Sequence, residues 1–476
     1  MASEIGKKDQ SASQDDAGVK RRGLLRFGAL ITALTGASAM SAIGASSAQA
    51  GPGDMNPPTA YVPIAEKGAP SGVAPLDLNA KIPPAQLPDL SATYATASGS
   101  SIGLIGDSIT NNNGTSNGYM FSTGYWSWAN VLLGHRFDLT YIDGVAGSGC
   151  TDAGWAARVT TMAGKNLPWC VVEIGTNDVA GGQTFAAITA ALTTTLNTLK
   201  NAGSRVLICT VPPRNALTTG QALIHGQVNT WIRRLPSTRT GVIVADVASY
   251  LTDPSAATPA TYIASYTGDG IHPTPPGCSQ MGKAIQAALS PTTPPLTGVL
   301  VPQNDASNML SIAASQWAGG ASAQPTAWTG TSASATWSQV PRTDGLPGTV
   351  QRVVIPVGGS VSIHYPVGGY VAGDRMVGFL EILNITGVDP APAANTQQCY
   401  VYMVAYTPAY GVDKVTADLY PNGTQPNVIP VSGIYQTPPL LASSTGLQEI
   451  DMFIEIHGGG TYDLGRVGIV KVGATY

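Results

Sequence analysis

A serine, a histidine and an aspartate stand in short motifs that could together perform nucleophilic chemistry. Ser108 follows Gly-Asp after an apolar run, and Asp269-Gly-Ile-His272 places a carboxylate three residues before an imidazole. A serine hydroxyl is a poor nucleophile at neutral pH until a base takes its proton, and imidazole is suited to that task. A carboxylate can fix the tautomer of the imidazole and stabilise its charged form. We therefore expect Ser108 to be the nucleophile, His272 its base and Asp269 the partner of that base.

Two further blocks lie between these motifs in the chain. Val145-Ala146-Gly147 and Gly175-Thr176-Asn177-Asp178 each follow an apolar run, and acyl transfer needs donors for the oxyanion that it creates. Together with the Ser108 and His272 motifs, the blocks resemble the SGNH (GDSL-type) serine hydrolase superfamily of esterases. The resemblance implies an oxyanion hole made by the backbone N–H groups of Ser108 and Gly147 and by the side-chain amide of Asn177.

The resemblance is weakest at the second block. The family often has an asparagine before the glycine, where this chain has Ile142-Asp143-Gly144. Gly149 is the alternative to Gly147 as the second oxyanion donor.

Each motif taken singly also has a structural interpretation. Ser108 could cap a helix N-terminus, and Asn177 with Asp178 could be turn residues. We expect Asp107 to hold its turn by hydrogen bonding. Ser116 in Gly-Thr-Ser-Asn-Gly matches the nucleophile elbow of α/β-hydrolases, but no apolar strand precedes it, which argues against a catalytic role.

Apolar runs alternating with helical segments predict the scaffold that positions these motifs. The predicted strands are 102–105, 139–145, 169–174, 206–211 and 242–247. The clearest helix is 184–200, with Ile188, Leu192, Leu196 and Leu199 on one face and Gly203 as its stop signal. This pattern predicts an α/β domain with a parallel sheet covered by helices on both faces. The resemblance implies that this sheet is the flavodoxin-like sheet of the SGNH hydrolase fold.

Short strand-like runs separated by turn residues replace the helical pattern after residue 292. The predicted strands include 351–356, 360–365, 376–385, 400–406 and 449–456. They predict a β-sandwich, jelly-roll-like domain over 293–476. Its tryptophans and tyrosines could form a carbohydrate-binding face, and packing in the core is the alternative.

The first 98 residues lack the periodicity of a folded domain. Residues 1–50 combine Arg21-Arg22, a weakly apolar stretch and Ala48-Gln-Ala50, which resembles a twin-arginine (Tat) signal peptide; an uncleaved membrane anchor is the alternative. Residues 51–98 are rich in proline and are interpreted as a linker, although 72–88 resemble a segment of phage tail proteins. The hydrolase domain is then predicted over 99–292.

Composition excludes some function classes. Charged residues make up 11% of the chain and the net charge is −4, so no basic field exists to hold nucleic acid.

The five cysteines lack C-x-x-C spacing, and Cys170 and Cys209 lie in apolar runs where free cysteine is usually a buried hydrophobe. His135, His225, His364 and His457 lack neighbouring carboxylate or cysteine clusters in the sequence, so we expect neither a metal nor a cofactor.

These features predict a secreted serine ester hydrolase with no stable membrane insertion after signal cleavage. Its expected partner is an ester substrate, for example O-acetyl groups of a polysaccharide or envelope glycan. Lipase or thioesterase activity is the alternative within enzymes, since fold does not select the acyl group. A phage-tail or cell-surface adhesin is the alternative outside enzymes, with the virion tail as its location.

Overall fold

A computed structural model describes residues 101–114, 119–291, 305–332, 334–346, 348–388, 398–421, 430–443 and 446–472. The predicted signal segment 1–50 and linker 51–98 lie outside these residues, as does Ser116. In the described part, no helix is both long and apolar enough to cross a membrane.

The amino-terminal half of the described chain alternates strands with helices. Its strands are β1 (Ser101–Gly106), β2 (Tyr119–Phe121), β3 (Asp138–Gly144), β4 (Trp169–Glu173), β5 (Arg205–Cys209) and β6 (Val242–Ala245). Its helices are α1 (Ser108–Asn111), α2 (Tyr125–Leu132), α3 (Trp155–Gly164), α4 (Thr176–Ala180), α5 (Phe185–Asn201), α6 (Thr219–Thr238), α7 (Val247–Leu251) and α8 (Pro275–Leu289), with a 3-10 turn at Ala264–Tyr266.

Five of these strands form one parallel sheet in the order β3-β1-β4-β5-β6. Alternate side chains along each strand pack on opposite faces, so the sheet has two cores. Ile105 and Val172 face α3, α5 and α6, whereas Leu104 and Val171 face α2 and α8. All five strands lie where the sequence predicts them, and the predicted sheet between two helical layers is confirmed.

Helix α5 shows why the local sequence folds as predicted. Thr184 is its N-cap and accepts a hydrogen bond from the amide of Ala187, and Gly203 follows the helix with a positive φ of 89°. The four predicted apolar positions of this helix are fully buried: Ile188, Leu192, Leu196 and Leu199.

The carboxyl-terminal half is built from antiparallel strands. Its elements are the short helix α9 (Ile312–Ser315) and the strands β7 (Thr329–Thr331), β8 (Thr336–Pro341), β9 (Thr349–Ile355), β10 (Ser360–Pro366), β11 (Arg375–Thr386), β12 (Gln398–Tyr406), β13 (Val412–Tyr420), β14 (Gly433–Gln436), β15 (Leu440–Leu441), β16 (Glu449–His457) and β17 (Gly460–Val472). One sheet has the order β2-β13-β12-β16-β10-β7 and the other β14-β11-β17-β9-β8, with β15 also on β11. Both sheets contribute to one buried apolar core, which confirms a β-sandwich; the jelly-roll connection stays a prediction.

The tryptophans of the β-rich half belong to its core. Trp317, Trp328 and Trp337 are 1%, 3% and 6% exposed, so they cannot contribute to the predicted carbohydrate-binding face. Tyr402 is half-buried, and its ring stacks on Phe453 with centroids 4.5 Å apart. Glycan binding by this half stays a prediction.

The two halves share structure, which the sequence did not predict. Strand β2 leaves the amino-terminal half and pairs in parallel with β13 of the sandwich. His135 Nε2 lies 2.9 Å from Asp418 Oδ2 across the same junction, and Val131 of α2 belongs to the sandwich core. The described residues thus form one compact unit, and the predicted boundary between 292 and 293 stays a prediction about sequence domains.

Candidate active site

Ser108 sits on a tight turn between β1 and α1. Asp107 is the N-cap of α1, and its Oδ1 accepts a hydrogen bond of 2.9 Å from the amide of Ile109. The predicted structural role of Asp107 is therefore confirmed, and the alternative that Ser108 caps the helix is wrong. A Cβ at Gly106 would overlap Glu173 O and Thr110 Oγ1, so only glycine lets the chain turn this sharply.

The structure brings Ser108, His272 and Asp269 into one hydrogen-bonded line. His272 Nε2 lies 2.8 Å from Ser108 Oγ, and His272 Nδ1 lies 2.7 Å from Asp269 Oδ2. Asp269 Oδ1 also accepts bonds from the amides of Ile271 (2.8 Å) and His272 (2.7 Å). One carboxylate thus fixes both the imidazole and the backbone that carries it.

The hydrogen bonds to Asp269 determine its ionisation. Burial by itself would raise the pKa of this carboxyl group, but the bonds from the His272 ring and from the two backbone amides outweigh burial. They lower the pKa of Asp269 from 3.8 to about 2. Asp269 is consequently ionised at any pH where imidazole can act as a base.

Two contacts hold the turn that carries His272: the hydroxyl group of Thr267, which lies in the same turn, and the loop after β5. Thr267 Oγ1 donates to His272 O (2.9 Å) and accepts from the amide of Gly270 (2.9 Å). Gly270 has a positive φ of 79° and packs against Asn215, whose amide donates to Gly270 O (2.8 Å). The loop after β5 therefore positions the histidine.

Gly147 lies in a turn after β3. The amide of Ser148 donates to Val145 O (3.2 Å), and Gly147 has a φ of 76°, the conformation that favours glycine at the third position of a type II turn. Gly147 is exposed, and its N–H has no partner among the described residues. The alternative donor, Gly149 N, already donates to Asp152 Oδ2 at 2.6 Å, so of the two amides only that of Gly147 has no acceptor among the described residues.

Asn177 lies in the first turn of α4, the helix that follows β4, and both ends of its side-chain amide are held. Asn177 Nδ2 donates to Ser148 O at 3.0 Å, and Arg214 Nη1 donates to Asn177 Oδ1 at 3.3 Å. An amide nitrogen carries two hydrogens, so one donor remains after the bond to Ser148. The loops bearing Gly147, Ser108 and Asn177 follow the neighbouring strands β3, β1 and β4.

Arg158 of α3 is a site residue that sequence reasoning missed. Its Nη2 donates to the carbonyls of Gly106 and Asp143, both at 2.7 Å, and its Nε donates to Asp143 Oδ1 at 3.0 Å. Its Nη1 donates to Ser148 Oγ at 2.9 Å. One side chain thus joins the end of β1, the end of β3 and the Gly147 turn. No local motif signals this role.

Asp178 organises the same turn from the other side. Its carboxylate accepts bonds from the amides of Cys150 (2.8 Å) and Thr151 (2.9 Å) and from Thr151 Oγ1 (2.8 Å). A Cβ at Gly149 would overlap this carboxylate. Asp178 therefore shapes the turn through these three bonds, whereas the neighbouring Asn177 side chain contacts Ser148 O and Arg214 Nη1.

A second missed feature is a buried carboxyl pair behind the serine. Asp107 and Glu173 are both 0% exposed, and Thr110 Oγ1 donates to Glu173 Oε2 at 3.1 Å. Burial raises the pKa of Asp107 to about 6 and that of Glu173 well above 4.5. Both carboxyl groups flank the turn that presents Ser108.

Residues 104–279 match the model of the GDSL-like lipase/acylhydrolase family. They form a GDSL-like hydrolase domain. Its parallel sheet and helical layers are the SGNH/GDSL fold expected from the sequence. The matched range includes Ser108, Gly147, Asn177, Asp269 and His272.

Three solved structures illustrate the likeness. A GDSL-like lipase from Bacteroides thetaiotaomicron is 16% identical and covers 40% of this chain and 88% of its own, with a TM-score of 0.31. A carbohydrate esterase family 3 protein from Talaromyces cellulolyticus is 18% identical, covering 40% and 96%, with a TM-score of 0.31. An alpha/beta hydrolase enzyme from the metagenome of Lake Arreo, Spain, is 22% identical, covering 40% and 95%, with a TM-score of 0.33. No curated protein matches the chain.

The remaining histidines and cysteines lie outside the hydrolase site. His135 and His457 each contact one carboxylate, Asp418 and Glu455, at 2.9 and 3.0 Å. No group of three or more His, Cys, Asp or Glu side chains converges within the described ranges. Cys170 and Cys209 are each 1% exposed, as the sequence predicts for buried hydrophobes.

Proposed function

We propose that the hydrolase domain is a serine esterase that cleaves carboxylic esters through an acyl-enzyme. The observation that carries this proposal is the line of bonds from Ser108 Oγ through His272 to Asp269, at 2.8 and 2.7 Å. His272 Nε2 takes the hydroxyl proton as Oγ attacks the ester carbonyl carbon. The same nitrogen then gives that proton to the departing alcohol, which leaves Ser108 acylated.

The second half of the cycle uses the same groups. Water gives a proton to His272 Nε2 and attacks the acyl carbon, and the proton returns to Ser108 Oγ as the acid leaves. Asp269, ionised because its pKa lies at about 2, stabilises the imidazolium in both halves. Every proton transfer between Ser108, the substrate and water therefore passes through one imidazole nitrogen.

The oxyanion of each tetrahedral intermediate needs donors that are in place before the reaction. In this proposal they are Ser108 N–H, Gly147 N–H and the second hydrogen of Asn177 Nδ2. Support comes from the bonds that hold the Gly147 turn and the Asn177 amide while leaving these donors available. Loss of one such donor typically costs about 3–4 kcal/mol of transition-state stabilisation.

Covalent labelling tests the nucleophile. A fluorophosphonate probe should label the wild-type chain and the Ser116→Ala variant, whereas Ser108→Ala should take up no label. Hydrolysis of p-nitrophenyl acetate should follow the same pattern. If Ser108→Ala is still labelled, the nucleophile is a residue other than Ser108. If the folded wild-type chain forms no adduct, the adhesin hypothesis is favoured.

For the substrate, we propose O-acetyl groups of a polysaccharide or envelope glycan. The export-like amino terminus and the β-sandwich joined to the hydrolase domain support an extracellular polymer over a small metabolite. Acetate release from acetylated polysaccharides should exceed turnover of long-chain p-nitrophenyl esters. The reverse ranking would favour the lipase or thioesterase alternative.

An apolar groove bears on that alternative. Phe185, Leu223 and Trp231 line a cavity of 840 Å³ along α6, large enough for an acyl chain. Neither Ser108 nor His272 lines it. The groove therefore does not support a long-chain acyl site.

Export through a twin-arginine-like signal is also proposed. Its support is the Arg21-Arg22 pair followed by a weakly apolar stretch and Ala48-Gln-Ala50. Replacement of both arginines by lysine should retain the protein inside the producing cell, and the amino terminus of the exported form should be Gly51. An unprocessed form in the membrane would support the anchor alternative instead.

A further inference from the structure

Arg214 occupies a fixed position beside the oxyanion donors. It lies in the loop after β5, next to Pro212 and Pro213, both buried. Its own amide donates to Ala260 O, and the next amide, of Asn215, donates to Gly270 O, both at 2.8 Å. The backbone of Arg214 is thus tied to two other segments, and its guanidinium group contacts the side chain of Asn177.

The guanidinium group of Arg214 has only a neutral partner in the described part of the chain. Its Nη1 donates to Asn177 Oδ1 at 3.3 Å, and its other nitrogens have no protein acceptor there. Three arginines elsewhere in the described residues, Arg158, Arg233 and Arg352, pair with carboxylates at 3.0, 2.8 and 2.7 Å, whereas Arg239, like Arg214, has only neutral partners. The guanidinium group of Arg214 is half-buried and keeps donors that a bound anion could engage.

The carboxylates on the loops that carry His272, Asn177 and Gly147 already have hydrogen-bond or ion-pair partners. Both oxygens of Asp269 are held by His272 and backbone amides, and those of Asp178 by Cys150 and Thr151. Asp143 is paired with Arg158. None of these groups can neutralise Arg214 without breaking bonds that shape the site.

We propose that Arg214 binds a carboxylate of the substrate, so that the domain prefers esters carried by acidic sugars such as O-acetylated uronic acid residues. This specificity rests on the proposed esterase function. A guanidinium group offers two parallel N–H donors to a carboxylate. Because Arg214 contacts Asn177, the proposed donor to the ester carbonyl oxygen, a carboxylate bound to Arg214 would belong to the same sugar unit as the reacting ester or to its neighbour.

A matched substrate pair tests the preference. One substrate is the methyl glycoside of an O-acetylated uronic acid, and the other is its uronamide, which has the same shape without the charge. Acetate release measures kcat/KM for each. We expect the wild-type protein to prefer the acid by about 10- to 100-fold, the range for hydrogen bonds to a charged group, and added salt to reduce that preference.

Three variants separate recognition from positioning. Arg214→Gln should reduce the ratio of kcat/KM values to about one, and Arg214→Lys should retain part of it because a point charge remains. Arg234→Gln is the control for net charge, since Arg234 is an exposed cation on α6 outside the site. It should leave the ratio unchanged. An effect of Arg214 exerted only through Asn177 would slow both substrates equally and leave the ratio as in the wild type.

The outcomes distinguish this proposal from the proposed function. If p-nitrophenyl acetate is hydrolysed but the acid and the amide react equally, substrate recognition by Arg214 is wrong and the esterase function stands. If Arg214→Gln retains the wild-type preference, the carboxylate binds elsewhere. If neither p-nitrophenyl acetate hydrolysis nor fluorophosphonate labelling of Ser108 occurs, the esterase function itself is wrong.

Discussion

Replacing Arg158 by methionine should slow catalysis without unfolding the domain. The side chain joins three segments: the end of β1 at Gly106, the end of β3 at Asp143 and the turn at Ser148. The methionine side chain can fill part of the space of the arginine stem but donates no hydrogen bond. The change therefore removes the clamp on the Gly147 turn and leaves the catalytic serine, histidine and aspartate in place.

The expected loss of stability follows from the partner that is left behind. The Asp143 side chain is 14% exposed and loses its ion pair, while Ser148 Oγ loses a charged donor. Hydrogen bonds to charged groups contribute about 1.5–3 kcal/mol each and do not add fully, so we expect unfolding to become easier by about 2–4 kcal/mol. Denaturation in urea would measure this loss directly.

The expected loss of activity follows from the geometry of the turn. Ser148 is the residue after Gly147, and its carbonyl also holds Asn177 at 3.0 Å. Small displacements of positioning groups can cost about 100-fold in rate. We expect kcat for p-nitrophenyl acetate to fall about 10- to 100-fold, with KM changed much less and with fluorophosphonate labelling slowed in proportion.

Arg233→Met is the matched control for the effect of Arg158→Met on kcat. Arg233→Met removes another arginine–aspartate pair, at 2.8 Å, whose side chains are 41% and 35% exposed. An exposed pair contributes about 0–1 kcal/mol, and this one lies away from the serine turn, so kcat should not change. A folded Arg158→Met protein with wild-type kcat would refute the clamp, and equal loss of kcat in Arg233→Met would show a nonspecific effect.

The remaining predictions concern the donors and carboxyl groups nearest to Ser108. Asn177→Ala should lower kcat about 100- to 1000-fold with little change in KM, and steady-state kinetics showing less than a threefold loss would remove Asn177 from the oxyanion hole. Asp269→Asn should lower kcat by up to about 10,000-fold through loss of the ionised partner, while circular dichroism stays native; retained activity would contradict the triad. Glu173→Gln should change how stability depends on pH. A raised pKa means that the folded state holds the proton more tightly, so the stabilisation is complete below the unfolded values near 4 and is lost as the pH rises through about 6, the pKa of Asp107. Glutamine does not titrate, so urea unfolding at pH 4, 6 and 8 should show a smaller decline in the variant than in the wild type; equal declines would exclude the titration of Glu173 as a source of the pH dependence.

Much of the hydrolase fold could be predicted because its signals are local. Each strand of the parallel sheet is a short apolar run, and α5 carries its own cap and stop signals, Thr184 and Gly203. Loops at the carboxyl ends of neighbouring parallel strands converge, so the sequence order of the motifs also predicted their proximity. Ser108 and His272 meet although 164 positions separate them in the chain.

The junction with the sandwich could not be predicted because its signals are not local. Strand β2 has three residues and lies beside a glycine-rich segment, so its periodicity is too short to identify a strand. Its partner β13 lies about three hundred positions later, in a sheet whose strand order the sequence did not predict. The ion pair of His135 with Asp418 forms across the same junction as the pairing of β2 with β13. No short motif near either residue could therefore predict it.

Arg158 and Arg214 are two site residues that could not be predicted from the sequence. A nucleophile and its base are recognised by residue type and short motif, whereas a long cationic side chain acts at a distance from its own backbone. Arg158 reaches from a helix to two strand ends, and Arg214 reaches from the β5 loop to the amide at the end of β4. Both contacts depend on the order of strands in the sheet. The residues that perform bond chemistry are therefore visible in the sequence, but those that position donors and select the substrate become visible only when the strand ends are placed side by side.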